Sequence, residues 1–381
     1  MKLLSDIDLS NKKVGIRLDL NVPVKNGEIQ SDERLKAALP TIQYALNETE
    51  SVTIISHFGR PDEGVYNSEL SLKPVCDWFC KALSRDIQFI PNFDQVPDVL
   101  CMVENSRFLV GESGNDDSLS NLIASSFEVY VMDAFATAHR KSASTYGAIL
   151  KSEQSCAGLL FANEVLNINS ALEHKGSLVS VVGGAKVSTK LEVIKNLLLK
   201  SQKVMVGGGI ANTFLKAAGH EVGNSLCEDD MVQTASEMLS TNKIILPNEV
   251  YVANSLDSDE VRYVSVNNVM PEDMILDIGF NKEEMESAAQ EMIIWNGPLG
   301  IFENDLFAKG TRDLVLYLAE SNSNVIAGGG ETIFAINKFS NMSNFHYVST
   351  AGGAFLEYLS GSTLPSICLL YTSDAADDVH R

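Results

Sequence analysis

Residues 178–199 read LVSVVGGAKVSTKLEVIKNLLL: a short apolar run, a glycine pair, a lysine, then a helical pattern. The run Leu178–Val182 does not alternate between apolar and polar, as expected of a parallel strand covered on both faces. The glycines Gly183 and Gly184 end it, and a helix beginning there offers unpaired N–H groups to an anion. The same order recurs at Val206-Gly207-Gly208-Gly209, at Ala327-Gly328-Gly329-Gly330-Glu331-Thr332 and at Thr350-Ala351-Gly352-Gly353-Ala354. One such turn is commonplace. Four in one half of a chain indicate a parallel α/β domain that takes a polyphosphate nucleotide.

Reading outward, the whole chain alternates short β-branched runs with helical segments, the signature of α/β architecture. Toward the N-terminus the strands are expected at Val14–Leu20, Val52–Ser56, Ile87–Ile90, Val99–Val103 and Val129–Met132. Toward the C-terminus they are expected at Leu178–Val182, Lys203–Val206, Glu249–Ala253, Met292–Trp295, Val325–Ala327 and His346–Val348. Helical periodicity is clear over Leu35–Asn47, Leu72–Leu83, Thr189–Leu199, Met231–Leu239, Thr311–Glu320 and Thr332–Asn337. Cys156–Lys175 reads as a long helix joining two α/β lobes of similar size, and Gly176-Ser177 breaks it.

Composition narrows the class. The chain has 381 residues, enough for two or three domains. Fifty acidic and 29 basic residues give a net charge of −21, which argues against a nucleic-acid coat. No run approaches the ~18 apolar residues of a membrane span, and the start MKLLSDIDLSNKK has no signal-peptide core. A soluble cytoplasmic enzyme is expected, with neither nucleic acid nor membrane as partner. Six cysteines form no CxxC pair and no zinc framework, and read as reduced thiols. The segment 368–381, CLLYTSDAADDVHR, loses periodicity and resembles the in-frame translation of a sequencing adaptor, so it is set apart from the fold.

In open α/β sheets, ligands bind beyond the carboxyl ends of the strands. In the first half those positions carry Asp19 and Asn21, then His57 and Arg60, then Glu104, Asn105 and Arg107, then Asp133, His139 and Arg140. Arg34, ahead of an apolar helix, can reach the same rim. Arginine and histidine gathered this way suit a small polyanion, because guanidinium binds phosphate and carboxylate bidentately. In the second half, the glycine runs holding Gly184, Gly209, Gly329 and Gly330, with Thr332, are candidates for phosphate approach. Lys186 and Lys190 would bridge phosphates, Glu331 would hold Mg²⁺ carried by them, and the loop Trp295–Glu303 would wrap the nucleoside with Glu303 on the ribose. No GxxxxGK[ST] occurs, and Asn212 stands where GxGxxG needs its third glycine. A dinucleotide oxidoreductase, the rival enzyme class, is thereby disfavoured.

Taken in order, the segments RLDLNVPV (17–24), SHFGRP (56–61), ENSRF (104–108), DAFATAHR (133–140), GGAKVSTKLEV (183–193), GGGIANTF (207–214), WNGPLGIFE (295–303), GGGETI (328–333) and STAGGAFLE (349–357) resemble bacterial-type phosphoglycerate kinases. The resemblance implies two Rossmann-like lobes with parallel sheets, separated by a cleft and joined by a linking helix. It implies a phosphoglycerate lobe at 1–155, an interdomain helix at 156–175, a nucleotide lobe at 176–350, and a segment 351–367 returning to the first lobe. It also implies reversible phosphoryl transfer from 1,3-bisphosphoglycerate to ADP, giving 3-phosphoglycerate and ATP, with Mg²⁺ as cofactor, by a monomer.

By the same resemblance, Asp19, Asn21, Arg34, His57, Arg60, Arg107 and Arg140 would hold the phosphoglycerate. Lys186 and Lys190 would contact nucleotide phosphates, Glu331 would face Mg²⁺, and Gly279, Asn296, Pro298, Gly300 and Glu303 would surround the nucleoside. Arg34 and Lys186, with backbone N–H groups near Gly330 and Gly352, would flank the transferred group. Glu331 stands where the family usually has Asp, Ala136 and Ala351 where it has Gly, and Phe58 where it has Leu. A nucleotide-binding paralogue with impaired catalysis is the alternative to an active kinase.

Overall fold

The computed structural model describes residues 1–25, 27–288 and 291–377. It divides into two units: Met1–Leu166 together with the chain from Thr363 onward, and Asn167–Ser362.

The strands of the first unit are β1 (Val14–Arg17), β2 (Val24–Lys25), β3 (Glu28–Ile29), β4 (Val52–Ile55), β5 (Gln88–Ile90), β6 (Cys101–Val103), β7 (Val129–Met132) and β8 (Ser155–Ala157). Among the described residues, six of them form one parallel sheet in the order β5-β6-β4-β1-β7-β8, and β2 and β3 make a small antiparallel pair. Every residue of β1, β4 and β7 is buried, so both faces of the sheet centre are covered. The helix Glu33–Glu48 turns Leu35, Ala38, Ile42, Ala45 and Leu46 inward at helical spacing. Each such fully buried Leu or Ile contributes ~1.5–3 kcal/mol relative to exposure.

The second unit contributes β9 (Leu178–Val182), β10 (Lys203–Val206), β11 (Ile244–Ile245), β12 (Glu249–Ala253), β13 (Arg262–Ser265), β14 (Met274–Ile278), β15 (Met292–Asn296), β16 (Asn324–Gly328) and β17 (Tyr347–Ser349). Its parallel sheet runs β11-β10-β9-β15-β16-β17. In both sheets the first strand sits centrally and the chain later crosses to its other side. The crevices therefore open beyond the ends of β1 and β7, and beyond the ends of β9 and β15.

Two of the departures from the sequence reading have a plain structural cause. The strand at Glu249–Ala253, expected among the parallel set, pairs antiparallel with β13 and β14 in a separate three-stranded sheet. The helix expected from Cys156 starts at Leu159, because Cys156 and Ala157 lie in β8 opposite Val131 and Met132. Asp133, at the end of β7, sets that start: its carboxylate accepts the Phe161 N–H at 2.9 Å. A Cβ on Gly158 would lie 2.2 Å from the same carboxylate.

Ala351–Ser362 stays with the second unit, where the helix Gly353–Leu359 packs on the helix Val187–Lys200. The chain rejoins the first unit as the helix Pro365–Asp377. Ser366 donates its N–H to Ala138 O at 3.2 Å and its hydroxyl to Thr145 O at 2.7 Å. Leu370 is buried and its carbonyl accepts the Lys2 N–H at 3.4 Å. The segment set apart as adaptor-like therefore begins inside this helix, with Leu370 buried in the first unit. Its residues 378–381 lie outside the described residues.

Burial pushes the Asp133 carboxyl up to about 7, against hydrogen bonds that favour the charge. Its folded pKa lies above the unfolded value, so the stability it contributes is present below about pH 4 and is lost as pH rises through about 7. Asp133→Asn keeps an acceptor for Phe161 N–H and removes this loss. Urea unfolding at pH 5 and pH 8 is expected to show the variant gaining on the wild type at the higher pH.

Candidate active site

At the end of β1, the Arg17 guanidinium is 2% exposed and wholly engaged by protein. Its Nε donates to Ser144 Oγ at 2.8 Å, one terminal nitrogen donates to Leu18 O, and the other lies 3.1 Å from His57 Nδ1. Guanidinium is only a donor, so His57 Nδ1 must be the acceptor. The ring proton then sits on Nε2, and the imidazole is neutral with its N–H available to an anion. Burial, followed by the charges of Arg17, Arg107, Arg140 and Arg34, holds the His57 pKa well below its ordinary value. The neutral tautomer is the resting state at pH 7.

Around this pair the strand ends deliver the expected cations. Arg34 donates to Asp19 Oδ2 at 2.8 Å and to Asn21 O at 3.1 Å, so Asp19 fixes its approach. The Asn21 side-chain oxygen accepts the Gly59 N–H at 3.0 Å, tying the β1 end to the loop after β4. Arg107 donates to Gly59 O, and burial with the neighbouring arginines lowers its pKa to about 10, leaving it charged at neutral pH. Asn105 accepts from Phe58 N at 2.9 Å and from Arg107 N at 3.1 Å, so it braces the turn that carries Arg107. Arg60 and Arg140 are exposed at the edge of the set. Glu104 points elsewhere, accepting from Ser71 Oγ at 2.6 Å and Leu72 N at 2.8 Å at the start of the helix Lys73–Leu83.

In the second unit, glycine plays two roles. At Gly183 a Cβ would lie 1.8 Å from Pro298 O, and at Gly209 it would lie 2.1 Å from Ala185 O. These glycines admit the protein's own backbone, where the sequence reading expected a ligand's approach. Around Gly330 and Gly352 nothing lies within 4 Å of such a Cβ, so space at those two helix starts is open. Gly329 and Gly352 hold φ of +106° and +55°, which glycine tolerates without strain.

Lys190 is anchored beneath the crevice, donating to Gly183 O at 2.6 Å and to Asn296 Oδ1 at 2.5 Å. Burial lowers its pKa to about 8, against the opposing pull of Glu331. Buried Asn296 also donates its side-chain amide to Gly328 O at 2.6 Å, and its backbone carbonyl accepts the Gly183 N–H at 2.8 Å, so one residue joins the ends of β9, β15 and β16. Thr332 is buried too, and its hydroxyl accepts the Gly297 N–H at 2.8 Å. Lys186 lies exposed at the start of the helix Val187–Lys200.

Beside this frame opens a cavity of about 550 Å³, whose lining includes Gly184, Gly209, Pro298, Gly300, Glu303 and Glu331. The apolar side chains of Leu226, Leu256, Met274, Leu276 and Ile301 line it too. Apolar walls with a few polar groups suit a nucleoside. Gly279 lies apart from that lining, at the end of β14, donating its N–H to Glu249 O at 2.8 Å.

The sequence reading left two residues out of the site. Arg17 reads as strand interior, and only the His57 contact reveals it. Asn212 lines the cavity with its Nδ2 turned to Leu226 O at 3.2 Å, while its Oδ1 has no hydrogen-bond partner among the described residues.

A doubly wound pair of α/β units, one with an arginine-rich rim and one with a largely apolar cavity and two open helix starts, has the build of a phosphotransferase. The family model for phosphoglycerate kinase matches residues 4–362. The chain is 47% identical over 382 residues to the phosphoglycerate kinase of Francisella philomiragia, covering 96% of this chain and 97% of that protein. It is 46% identical over 383 residues to that of Francisella tularensis subsp. novicida, with the same coverage. Phosphoglycerate kinase from Coxiella burnetii superposes with a TM-score of 0.92 at 42% identity, over 97% of this chain and 99% of that one. The enzyme from Pyrococcus horikoshii does so at 0.81 and 29% identity, over 98% and 100%. The chain belongs to the phosphoglycerate kinase family.

If phosphate binds against Lys190, ADP binding near pH 8.5 is expected to take up a proton, since the free lysine is partly neutral there. Calorimetry in two buffers of different ionisation enthalpy reads this directly. Lys190→Met is expected to abolish the buffer difference.

Proposed function

We propose that the chain catalyses reversible phosphoryl transfer from 1,3-bisphosphoglycerate to ADP, yielding 3-phosphoglycerate and ATP. What carries the reading is the pairing of an arginine rim around neutral His57 with a cavity beside Lys190. Asp19, Asn21, Arg34, His57, Arg60, Arg107 and Arg140 hold the phosphoglycerate. Lys186, Lys190 and the open helix starts at Gly330 and Gly352 hold the nucleotide phosphates, and the apolar wall takes the base. The protein acts in the cytoplasm as a monomer.

The chemistry needs no general base. A β-phosphate oxygen of ADP attacks the acyl phosphate, and the leaving group is a carboxylate. Both nucleophile and leaving group are deprotonated at neutral pH, so the chain's task is positioning and charge stabilisation. Arg34 and Lys186 flank the transferred group. Because the two substrates belong to different units, transfer needs a state that brings them together and keeps water off the acyl phosphate.

Glu331 is an exposed carboxylate on the cavity wall, and among the described residues no cluster of three metal-ligating side chains occurs. One carboxylate with phosphate oxygens and water is the donor set Mg²⁺ prefers, so Glu331 fits a metal that arrives with the nucleotide. When bound, that metal offsets charge on the β- and γ-phosphates. Glu331 would hold it, and Lys186 and the helix-start N–H groups bind phosphate oxygens.

The test is ATP-dependent turnover of 3-phosphoglycerate coupled to reduction of the 1,3-bisphosphoglycerate formed. Turnover that Lys186→Ala removes supports the reading. Binding of both substrates without turnover fits an impaired paralogue, and absence of binding sinks the assignment. Arg34→Ala is expected to lower kcat by ~10²-fold with little change in KM, as for a group acting on the transition state. Arg140→Ala is expected to raise KM for 3-phosphoglycerate about tenfold, since it holds substrate at the edge of the rim. Equal kcat losses from the two would refute that division.

A further inference from the structure

Behind the arginine rim lies a carboxylate that no part of the phosphoryl-transfer scheme uses. Glu112 is 2% exposed, in the loop after β6. Its Oε1 accepts from Ser144 Oγ at 2.5 Å, Ser142 Oγ at 3.2 Å and Ser106 Oγ at 3.4 Å, and its Oε2 accepts the Ser144 N–H at 3.0 Å. Its backbone carbonyl accepts the Ala143 N–H at 2.8 Å. Each donor belongs to a segment that presents an anion-binding residue. Ser106 precedes Arg107 in one turn. Ser142 and Ser144 follow Arg140.

The Ser144 hydroxyl does more. It accepts from Arg17 Nε at 2.8 Å while donating to Glu112, and Arg17 in turn reaches His57 Nδ1 at 3.1 Å. A hydroxyl has one proton, so this order is fixed: guanidinium to hydroxyl, hydroxyl to carboxylate. The Glu112 charge also draws on Arg107, whose own arginine neighbours oppose its protonation.

We propose that Glu112 is a positioning residue for the phosphoglycerate site: through Ser144 and Arg17 it fixes the His57 tautomer that donates Nε2–H to substrate, and through Ser106 and Ser142 it holds the turns bearing Arg107 and Arg140. A buried carboxylate at the back of a cation cluster offsets the cost of gathering like charges before an anion arrives. It touches neither substrate nor nucleotide. The proposal rests on the assignment of phosphoglycerate to this rim.

The experiment compares wild type with Glu112→Gln and Ser144→Ala. Gln keeps the volume but presents donors to Ser144 and Ser142. Ala removes the hydroxyl that joins Glu112 to Arg17 but keeps the carboxylate with its bonds from Ser144 N–H, Ser142 and Ser106, so it serves where Glu112→Gln fails to fold. Steady-state kinetics are expected to show KM for 3-phosphoglycerate raised about tenfold in Glu112→Gln, with KM for ATP within about twofold. Nitrogen-15 NMR of His57 is expected to show one Nε2–H tautomer in the wild type and a mixture, or a raised pKa, in both variants.

A fall in thermal stability with both KM values and the His57 signals unchanged would overturn the proposal, leaving Glu112 a structural residue. An equal rise in both KM values would also overturn it. If the wild type neither binds nor turns over 3-phosphoglycerate, the functional assignment fails, and the NMR comparison still decides whether Glu112 controls His57.

Discussion

The first unit must hold like charges side by side in a place from which water is largely absent. Arg17 and His57 are both buried, and Arg34 and Arg107 stand next to them. Left alone, such a set would spread or shed protons. The chain meets the constraint in three ways. His57 stays neutral because burial and the neighbouring guanidinium charges disfavour its cation, and Arg17 donates to its Nδ1. Arg34 leans on Asp19, and Arg107 on the Gly59 carbonyl. The deeper guanidinium ends, through one serine, on a carboxylate. The rim thereby keeps its positive character while its geometry stays set.

The second unit solves an equivalent problem with backbone instead of charge. Asn296 ties three strand ends together, and the glycines at 183 and 209 let neighbouring loops touch. That close fit leaves the helix starts at Gly330 and Gly352 uncovered. Lys190 is a cation drawn inside this frame. Its hydrogen bonds to Gly183 and Asn296 hold it in place, while burial weakens its hold on its proton. A lysine in that condition gains most from an arriving phosphate.

Much of this was legible in the sequence, for identifiable reasons. Buried parallel strands such as Leu178–Val182 read as unbroken apolar runs, and polar residues just beyond them mark the rim. Arg17 was hidden because it closes a strand whose other three residues are Val, Gly and Ile, so nothing local separates it from the core. Glu112 sits in GESGND, which reads as a solvated loop; its burial depends on serines contributed from residues 106, 142 and 144. The sheet β12–β14 escaped because β13, Arg-Tyr-Val-Ser, is half exposed and carries no apolar run. Gly183 was read as serving a ligand because sequence cannot say whose backbone comes close.

The first unit is discontinuous: its closing helix, Pro365–Asp377, is translated after the whole of Asn167–Ser362. On the ribosome, therefore, the two units do not mature in the order in which they begin. The stretch Asn167–Ser362 is complete in itself and can acquire its full set of contacts first. The first unit must wait for Ser366, whose N–H and hydroxyl bind Ala138 O and Thr145 O. Those carbonyls belong to the loop that carries Arg140. The loop behind the arginine rim thus receives its last hydrogen-bond donors only once the closing helix has been made.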